Sequence, residues 1–122
     1  AKVRCVNIHP SLLPHGGGAD PHLWAAIEGR PQGVTIHLMD AGIDTGNIIA
    51  QREVPVFETT TMKETRRLLH RAAGRLVENN FKDIVQAPGQ PQTGEGSYHY
   101  ARELDDGQRE AMAEMTVEEM KR

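Results

Sequence analysis

Residues 3–9 carry valine, cysteine and isoleucine over both alternating faces, the pattern of a strand covered on both sides as in a parallel sheet, and they predict the central strand of the domain. Pro10 ends it, because proline cannot donate to a ladder. Asp20 and Pro21 signal a helix start, Asp20 as the cap and Pro21 in the first turn; Gly29 is placed to stop it, and Leu23, Trp24 and Ile27 fall on one face. Residues 33–39 predict a second strand and residues 47–56 a third, in which Ile48, Ala50, Arg52 and Val54 alternate with Ile49, Gln51, Glu53 and Pro55. Thr61 and Glu64 form a capping box. Behind it Met62, Leu68, Leu69, Ala72, Ala73, Leu76, Phe81, Ile84 and Val85 recur at helical spacing until Pro88 and Gly89, which predicts one long helix. Residues 90–96 read as a polar linker containing glycine. Residues 106–122 carry two helix starts, the second capped by Thr116 and Glu119; this acidic, methionine-rich tail is either a packed terminal helix or a surface for a partner. Period-two and period-3.6 segments together give an α/β class.

At 122 residues the chain is one domain or a piece of one, and with 38% hydrophobic but only 4% aromatic residues it can build a modest core with few large anchors. A net charge of −3 leaves no basic footprint, so no nucleic-acid partner is expected. No run reaches the length of a membrane span and no charged-then-apolar leader opens the chain, which makes the expectation no membrane and a cytoplasmic location. Cys5 is alone, so it forms no internal disulfide, and its place in a strand predicts a small buried hydrophobe rather than a nucleophile.

The chemistry concentrates in three places. In Val6-Asn7-Ile8-His9-Pro10-Ser11-Leu12-Leu13-Pro14 the alternation of a strand points Asn7 and His9 to one side. In Gly42-Ile43-Asp44-Thr45-Gly46 a carboxylate sits in a glycine-bounded loop that can reach that pair. An amide donor, an imidazole and an acid able to set the imidazole's charge are what stabilising a developing oxyanion and moving a proton require. His37, in Gly33-Val34-Thr35-Ile36-His37, is either a core histidine bonded to a neighbour or a group that orients Asp44. His15-Gly16-Gly17-Gly18 matches the oxyanion loop of esterases, but no Gly-x-Ser-x-Gly elbow accompanies it, so it reads as a flexible loop before a capped helix. His9, His37 and Asp44 lack the short ligand spacings of a metal site, and none is expected. Trp24 and Tyr98 read as packing residues.

Those three motifs, in that order, resemble the formyltransferase family that includes glycinamide ribonucleotide transformylase, methionyl-tRNA formyltransferase and the sugar-amine formyltransferases. The resemblance covers residues 3–57 and continues weakly through the following helix. It implies a partial Rossmann-like formyltransferase fold with a mixed sheet and a long C-terminal helix. It divides the chain into residues 1–89, the C-terminal half of a catalytic domain, and residues 90–122, a linker and helical tail. It implies 10-formyltetrahydrofolate as formyl donor, a small-molecule amine as acceptor, Asn7, His9 and Asp44 as the catalytic set, and pterin contacts from Asp40, Ala41, Gly42 and Ile43. Leu12 and Leu13, in the turn after the strand, would cover the donor pocket, and packing alone would explain them as well. Where many members read Pro-x-x-Arg-Gly-Ala-x-Pro, this chain reads Pro14-His15-Gly16-Gly17-Gly18-Ala19-Asp20-Pro21, which removes any acceptor contact made by that arginine. Hydrolysis of the same folate, with water as acceptor, uses the same three residue types. A non-catalytic assembly module is the contrasting class, because the first half of the family's sheet is absent before residue 3. Self-association or pairing with a complementary N-terminal half is the expected partner relation.

Overall fold

The computed structural model describes residues 4–122, so the first three positions of the chain lie outside it. The elements run β1 (Val6–His9), β2 (Gly17–Gly18), α1 (Pro21–Ile27), β3 (Gly33–Leu38), β4 (Ile48–Glu53), α2 (Met62–Asn79), α3 (Phe81–Gln86), β5 (Tyr98–His99), a 3-10 turn (Ala101–Glu103), α4 (Asp106–Ala113) and α5 (Val117–Met120). Strands β1, β3 and β4 form one sheet in the order β1-β3-β4 with antiparallel ladders, and β2 pairs with β5 in parallel. The fold is mixed α/β, with both directions of pairing present.

Among the described residues the centre of the sheet is β3 rather than the segment ending at His9. Strand β3 is paired on both sides and Gly33 to His37 are all buried, whereas β1 pairs on one side and its Ile8 is 40% exposed. An apolar strand reads the same whether the cover comes from both faces or from one face and an edge, which is why periodicity misplaced it. Cys5 is likewise exposed rather than buried, since it precedes β1 and contributes only its carbonyl, an acceptor for the Met39 N–H at 2.9 Å.

One core fills the space between the sheet and α2, with Val34, Ile36, Val54, Leu69 and Leu76 buried in it. The second joins α1 to the tail: Leu23, Trp24, Ala26, Met62, Leu104 and Met120 are buried together, with Met112, Met115 and Val117 against them. The tail is therefore a packed terminal element, and Thr116 caps α5 through the anticipated box with Glu119.

Helix α2 opens on the predicted capping box. The Glu64 N–H donates to Thr61 Oγ1 at 3.1 Å and the Thr61 N–H to Glu64 Oε1 at 3.2 Å. The long helix does not continue to Val85: Asn80 leaves helical geometry (φ −125°, ψ 20°), its Nδ2 donates to the Leu76 carbonyl at 2.9 Å, and α3 starts afresh. Phe81 and Val85, 56% and 57% exposed, thus drop out of the core. An asparagine amide that takes a helix carbonyl offers the chain an exit that hydrophobic spacing does not register.

Asp20 stands at the N-cap of α1, but in a left-handed conformation (φ 52°) with no side-chain capping bond. Its carboxylate instead accepts from Arg109 Nε at 3.0 and 3.1 Å, an ion pair that ties α1 to α4. Residues 16–18 are not a flexible loop either. The Gly17 N–H donates to the Ser97 carbonyl and the Ala19 N–H to the His99 carbonyl, both at 2.9 Å, and a Cβ on Gly18 (φ +84°) would run into the His99 carbonyl. The glycines let two backbones close on one another.

His99 secures that contact. Its ring stacks on Trp24 at 3.7 Å and 5° between planes, and its two nitrogens lie 3.0 Å from Glu28 Oε2 and Glu103 Oε1. Burial opposes the imidazolium, but the hydrogen bonds to Glu103 and Glu28 outweigh it and hold the pKa above its ordinary value. A histidine pKa raised on folding contributes stability that is complete below the unfolded value, about 6.5, and is lost as pH rises through the folded value. His99→Gln should therefore lower the melting temperature more at pH 5.5 than at pH 9, as thermal denaturation at the two pH values will show; equal losses would mean the ring acts only by stacking.

Candidate active site

The antiparallel register of β1 and β3 places Asn7 opposite His37 and His9 opposite Thr35. Because strand side chains alternate, Asn7 and His9 share one side and Ile8 takes the other. Beyond β3, residues 39–47 turn back to start β4, with the Leu38 N–H donating to the Asn47 carbonyl at 2.8 Å. The turn is built by Asp40, whose Oδ1 accepts from the Gly42 N–H at 2.9 Å and from Thr45 Oγ1 at 2.7 Å. Those two bonds, the hydroxyl first, hold the Asp40 carboxyl below the usual carboxylate range. Gly46 lies so close to the Leu38 carbonyl that a Cβ there has no room.

The turn presents Asp44, in a left-handed conformation (φ 58°), to the two histidines. Its Oδ1 is 3.6 Å from His9 Nδ1 and 3.7 Å from His37 Nε2, and its Oδ2 accepts from the Gly18 N–H at 2.9 Å. Asn7, His9, His37 and Asp44 thus converge, the first three from paired strands and the fourth from the loop between β3 and β4.

The backbone assigns a role to each ring nitrogen. His9 Nε2 lies 2.6 Å from the Gly16 carbonyl, which can only accept, so that nitrogen carries a hydrogen and Nδ1 faces Asp44. His37 Nδ1 donates to the Leu38 carbonyl at 3.0 Å, leaving Nε2 to accept from Asn7 Nδ2 at 3.5 Å. This contact fixes which way the Asn7 amide points and leaves its second N–H free for a ligand. His37 is thereby both a buried histidine bonded to its neighbours and a group turned toward Asp44.

A small pocket of about 160 Å³ opens beside this cluster, lined by Asn7, His37 and residues of the 39–46 loop that include Asp40, Gly42, Ile43 and Asp44. Of the four positions anticipated for pterin contact, Ala41 alone is not on its wall. The volume is below the roughly 300–1,000 Å³ of drug-sized ligand sites, so the pocket has room for only part of such a ligand. Leu12 and Leu13 do not cover it: Leu13 is buried and the Leu12 side chain covers Gly33. Their turn is anchored by Thr35, whose hydroxyl donates to the Ser11 carbonyl at 2.6 Å and accepts from the Leu13 N–H at 3.2 Å. A larger cleft, about 510 Å³, lies elsewhere, with Ile8, Pro10, His22, Arg66, Leu69 and His70 on its walls. Burial, aided by Arg66, depresses His22 to about 4 in that cleft, and no residue of the converging cluster lines it.

The profile of the formyl transferase family matches residues 1–79. The chain belongs to that family. The chain is 43% identical over 109 residues to the GDP-perosamine N-formyltransferase of Brucella melitensis, with 88% of this chain and 42% of that protein covered. It is 36% identical over 105 residues to the methionyl-tRNA formyltransferase of Clostridium botulinum, with 85% and 34% covered. The formyltransferase PseJ of Anoxybacillus kamchatkensis, solved with UDP-4,6-dideoxy-4-formamido-L-AltNAc and tetrahydrofolate, superposes with a TM-score of 0.80 at 37% identity, across 94% of this chain and 63% of that one. The chain spans 42% and 34% of the length of the two curated relatives.

Sequence reasoning missed the Gly18 amide and the Gln92 side chain, both bonded to Asp44. Neither has a sequence signal, because the partners lie 26 and 48 residues apart and are joined by folding alone. Gly18→Ala must leave its left-handed conformation and clear the His99 carbonyl, so it should cost roughly 1–3 kcal/mol in urea unfolding and loosen Asp44 as well. A neutral Gly18→Ala would show that the β2–β5 pairing contributes little.

Proposed function

We propose that this formyl transferase moves a formyl group from 10-formyltetrahydrofolate to the primary amine of a nucleotide-linked amino sugar, with Asn7, His9 and Asp44 as the catalytic set. The observation that carries the reading is the convergence of Asn7 Nδ2, His9 Nδ1 and Asp44 Oδ1 beside a pocket of about 160 Å³. A spare amide N–H and an imidazole suit an oxygen that becomes negative as its carbonyl carbon is attacked. The folate donor is supported by PseJ with its tetrahydrofolate and by the N-formyltransferase of Helicobacter canadensis, solved with folinic acid and dTDP-3-aminofucose. The sugar acceptor is supported by the GDP-perosamine N-formyltransferase at 43% identity.

In this reading the acceptor nitrogen forms a bond to the formyl carbon, and the carbonyl electron pair moves onto oxygen. Asn7 donates its free N–H to that oxygen, and His9 offers a hydrogen at Nδ1. Asp44 balances the His9 charge and receives the proton that the amine sheds, directly or through a water. The bond from the formyl carbon to the folate N10 then breaks, N10 takes up one proton, and the products are the formamide and tetrahydrofolate. Asp40, Gly42 and Ile43 face the donor from the loop.

In the full-length enzyme, Asn7→Ala and His9→Ala should each lower kcat about 10² or more and leave the KM for the formyl donor within a few-fold, because both groups act on charge that exists mainly in the transition state. Asp44→Asn should be comparably damaging. Steady-state kinetics with an amino-sugar nucleotide test this. Parallel losses in kcat and donor affinity would mark the residues as structural, and release of formate without any formamide would replace transfer by hydrolysis.

A further inference from the structure

The segment after the last turn of α3 does more than connect. Gln90 exchanges both backbone hydrogen bonds with Ile48, at 2.7 and 2.8 Å, and Asn47 Nδ2 donates to the Pro88 carbonyl at 3.2 Å. Residues 88–90 are therefore fixed to the start of β4. Two residues on, Gln92 Nε2 lies 2.8 Å from the Asp44 carbonyl and 2.9 Å from the Gly46 carbonyl. A primary amide has two hydrogens, and these two acceptors use both of them. They flank Thr45, so one side chain clamps the three residues that hold the carboxylate of the site.

The loop has a physical need for such a clamp. Asp44 adopts a left-handed conformation that is unfavourable for a non-glycine residue and persists only where the surroundings impose it. Residues 39–43 and Thr45 are exposed, so apolar packing does not hold the loop. Its remaining bonds are those of Asp40 inside the turn, the Met39 N–H on the Cys5 carbonyl, the strand-end bond between Leu38 and Asn47, the Asn47 side chain on the Pro88 carbonyl, and the Gly18 N–H on Asp44 Oδ2. None of these touches the Asp44 carbonyl. Without the clamp the peptide groups on either side of Asp44 are free to rotate toward an ordinary conformation, and Oδ1 swings away from His9 and His37.

We propose that Gln92 is a positioning residue for this formyl transferase: by donating both amide hydrogens to the carbonyls of Asp44 and Gly46, it holds the Asp44 carboxylate against His9 and His37. The inference rests on the catalytic assignment of Asp44 made above, and its test separates the two.

Gln92→Ala removes both donors. Gln92→Glu keeps the shape but turns a carboxylate toward two carbonyls, so it must be at least as damaging. Thr93→Ala, an exposed neighbour, serves as control. In the full-length enzyme the two Gln92 variants should lower kcat at least tenfold with the donor KM within threefold of wild type, since small misplacement of a reacting group costs rate rather than binding. The Gly18 amide, which reports on Asp44 Oδ2, should exchange its hydrogen at least tenfold faster in both variants while the amides of β3 keep their protection. Unchanged kcat with unchanged Gly18 exchange overturns the proposal, and so does a uniform rise in exchange that includes β3, which would make Gln92 an ordinary stabilising contact. If the wild-type enzyme transfers no formyl group, the catalytic reading fails, and Gly18 exchange alone decides whether Gln92 places Asp44.

Discussion

Everything at the site depends on the register between β1 and β3. Pairing Asn7 with His37 and His9 with Thr35 puts amide and imidazoles on one side of the sheet and leaves Ile8 and Ile36 paired on the other. A slip of one residue would reverse every side chain. The register is held from two directions. Val34 and Ile36 are fully buried against the helix face that carries Leu69 and Leu76, so reversing β3 would expose them and bury polar groups without partners. The Thr35 hydroxyl also accepts from Gln51 Nε2 on β4 at 2.9 Å while donating to the Ser11 carbonyl, joining β3, β4 and the turn after β1 in one network. The core that folds the domain is thus also what aims the catalytic candidates.

A buried polar cluster is costly unless its members satisfy one another, and here the backbone does most of that work. The Gly16 carbonyl takes one nitrogen of His9, the Leu38 carbonyl takes one nitrogen of His37, and the Gly18 amide takes one oxygen of Asp44. The other nitrogen of His9 faces the other oxygen of the carboxylate at 3.6 Å, and His37 Nε2, which accepts from Asn7, lies 3.7 Å from the same oxygen, both beyond direct hydrogen-bond distance. Fixed backbone partners orient these side chains and leave the facing atoms of His9 and Asp44 without a direct bond to one another. The glycines at 16–18 belong to this scheme: a Cβ at 16 would run into Ser11 and one at 18 into the His99 carbonyl on β5, so the missing Cβ atoms let the segment bring its carbonyl and amide to His9 and Asp44.

The features legible in the sequence were those written in neighbouring residues. Strand alternation placed Asn7 with His9, two glycines marked the loop of Asp44, and the Thr61 and Thr116 boxes began helices where they were expected. What was not legible depends on partners distant in the chain. Asp20 looks like a cap until Arg109, 89 residues away, claims its carboxylate. Residues 16–18 look flexible until β5 pairs with them. Cys5 and Ile8 look buried because an apolar strand does not reveal which of its faces and edges is covered. The end of α2 at Asn80 is local, but it lies in a competition between side chain and backbone for the Leu76 carbonyl, which hydrophobic periodicity does not see.

The departure at Gly17 follows from the same geometry. A Cβ at this position would lie 3.1 Å from the Tyr98 ring and 3.3 Å from the Ser97 carbonyl, so the space that a longer side chain would take is already held by β5. Tyr98 in turn meets Tyr100 edge-on with ring centroids 4.9 Å apart, and Arg102 lies 4.3 Å above the Tyr100 ring. Tyr98, Tyr100 and Arg102 thus gather two rings and a cation on the segment after α3. The segment after α3 therefore meets the surroundings of Asp44 twice: Gln92 donates to the carbonyls of Asp44 and Gly46, and β5 pairs with the glycines whose amide reaches the carboxylate.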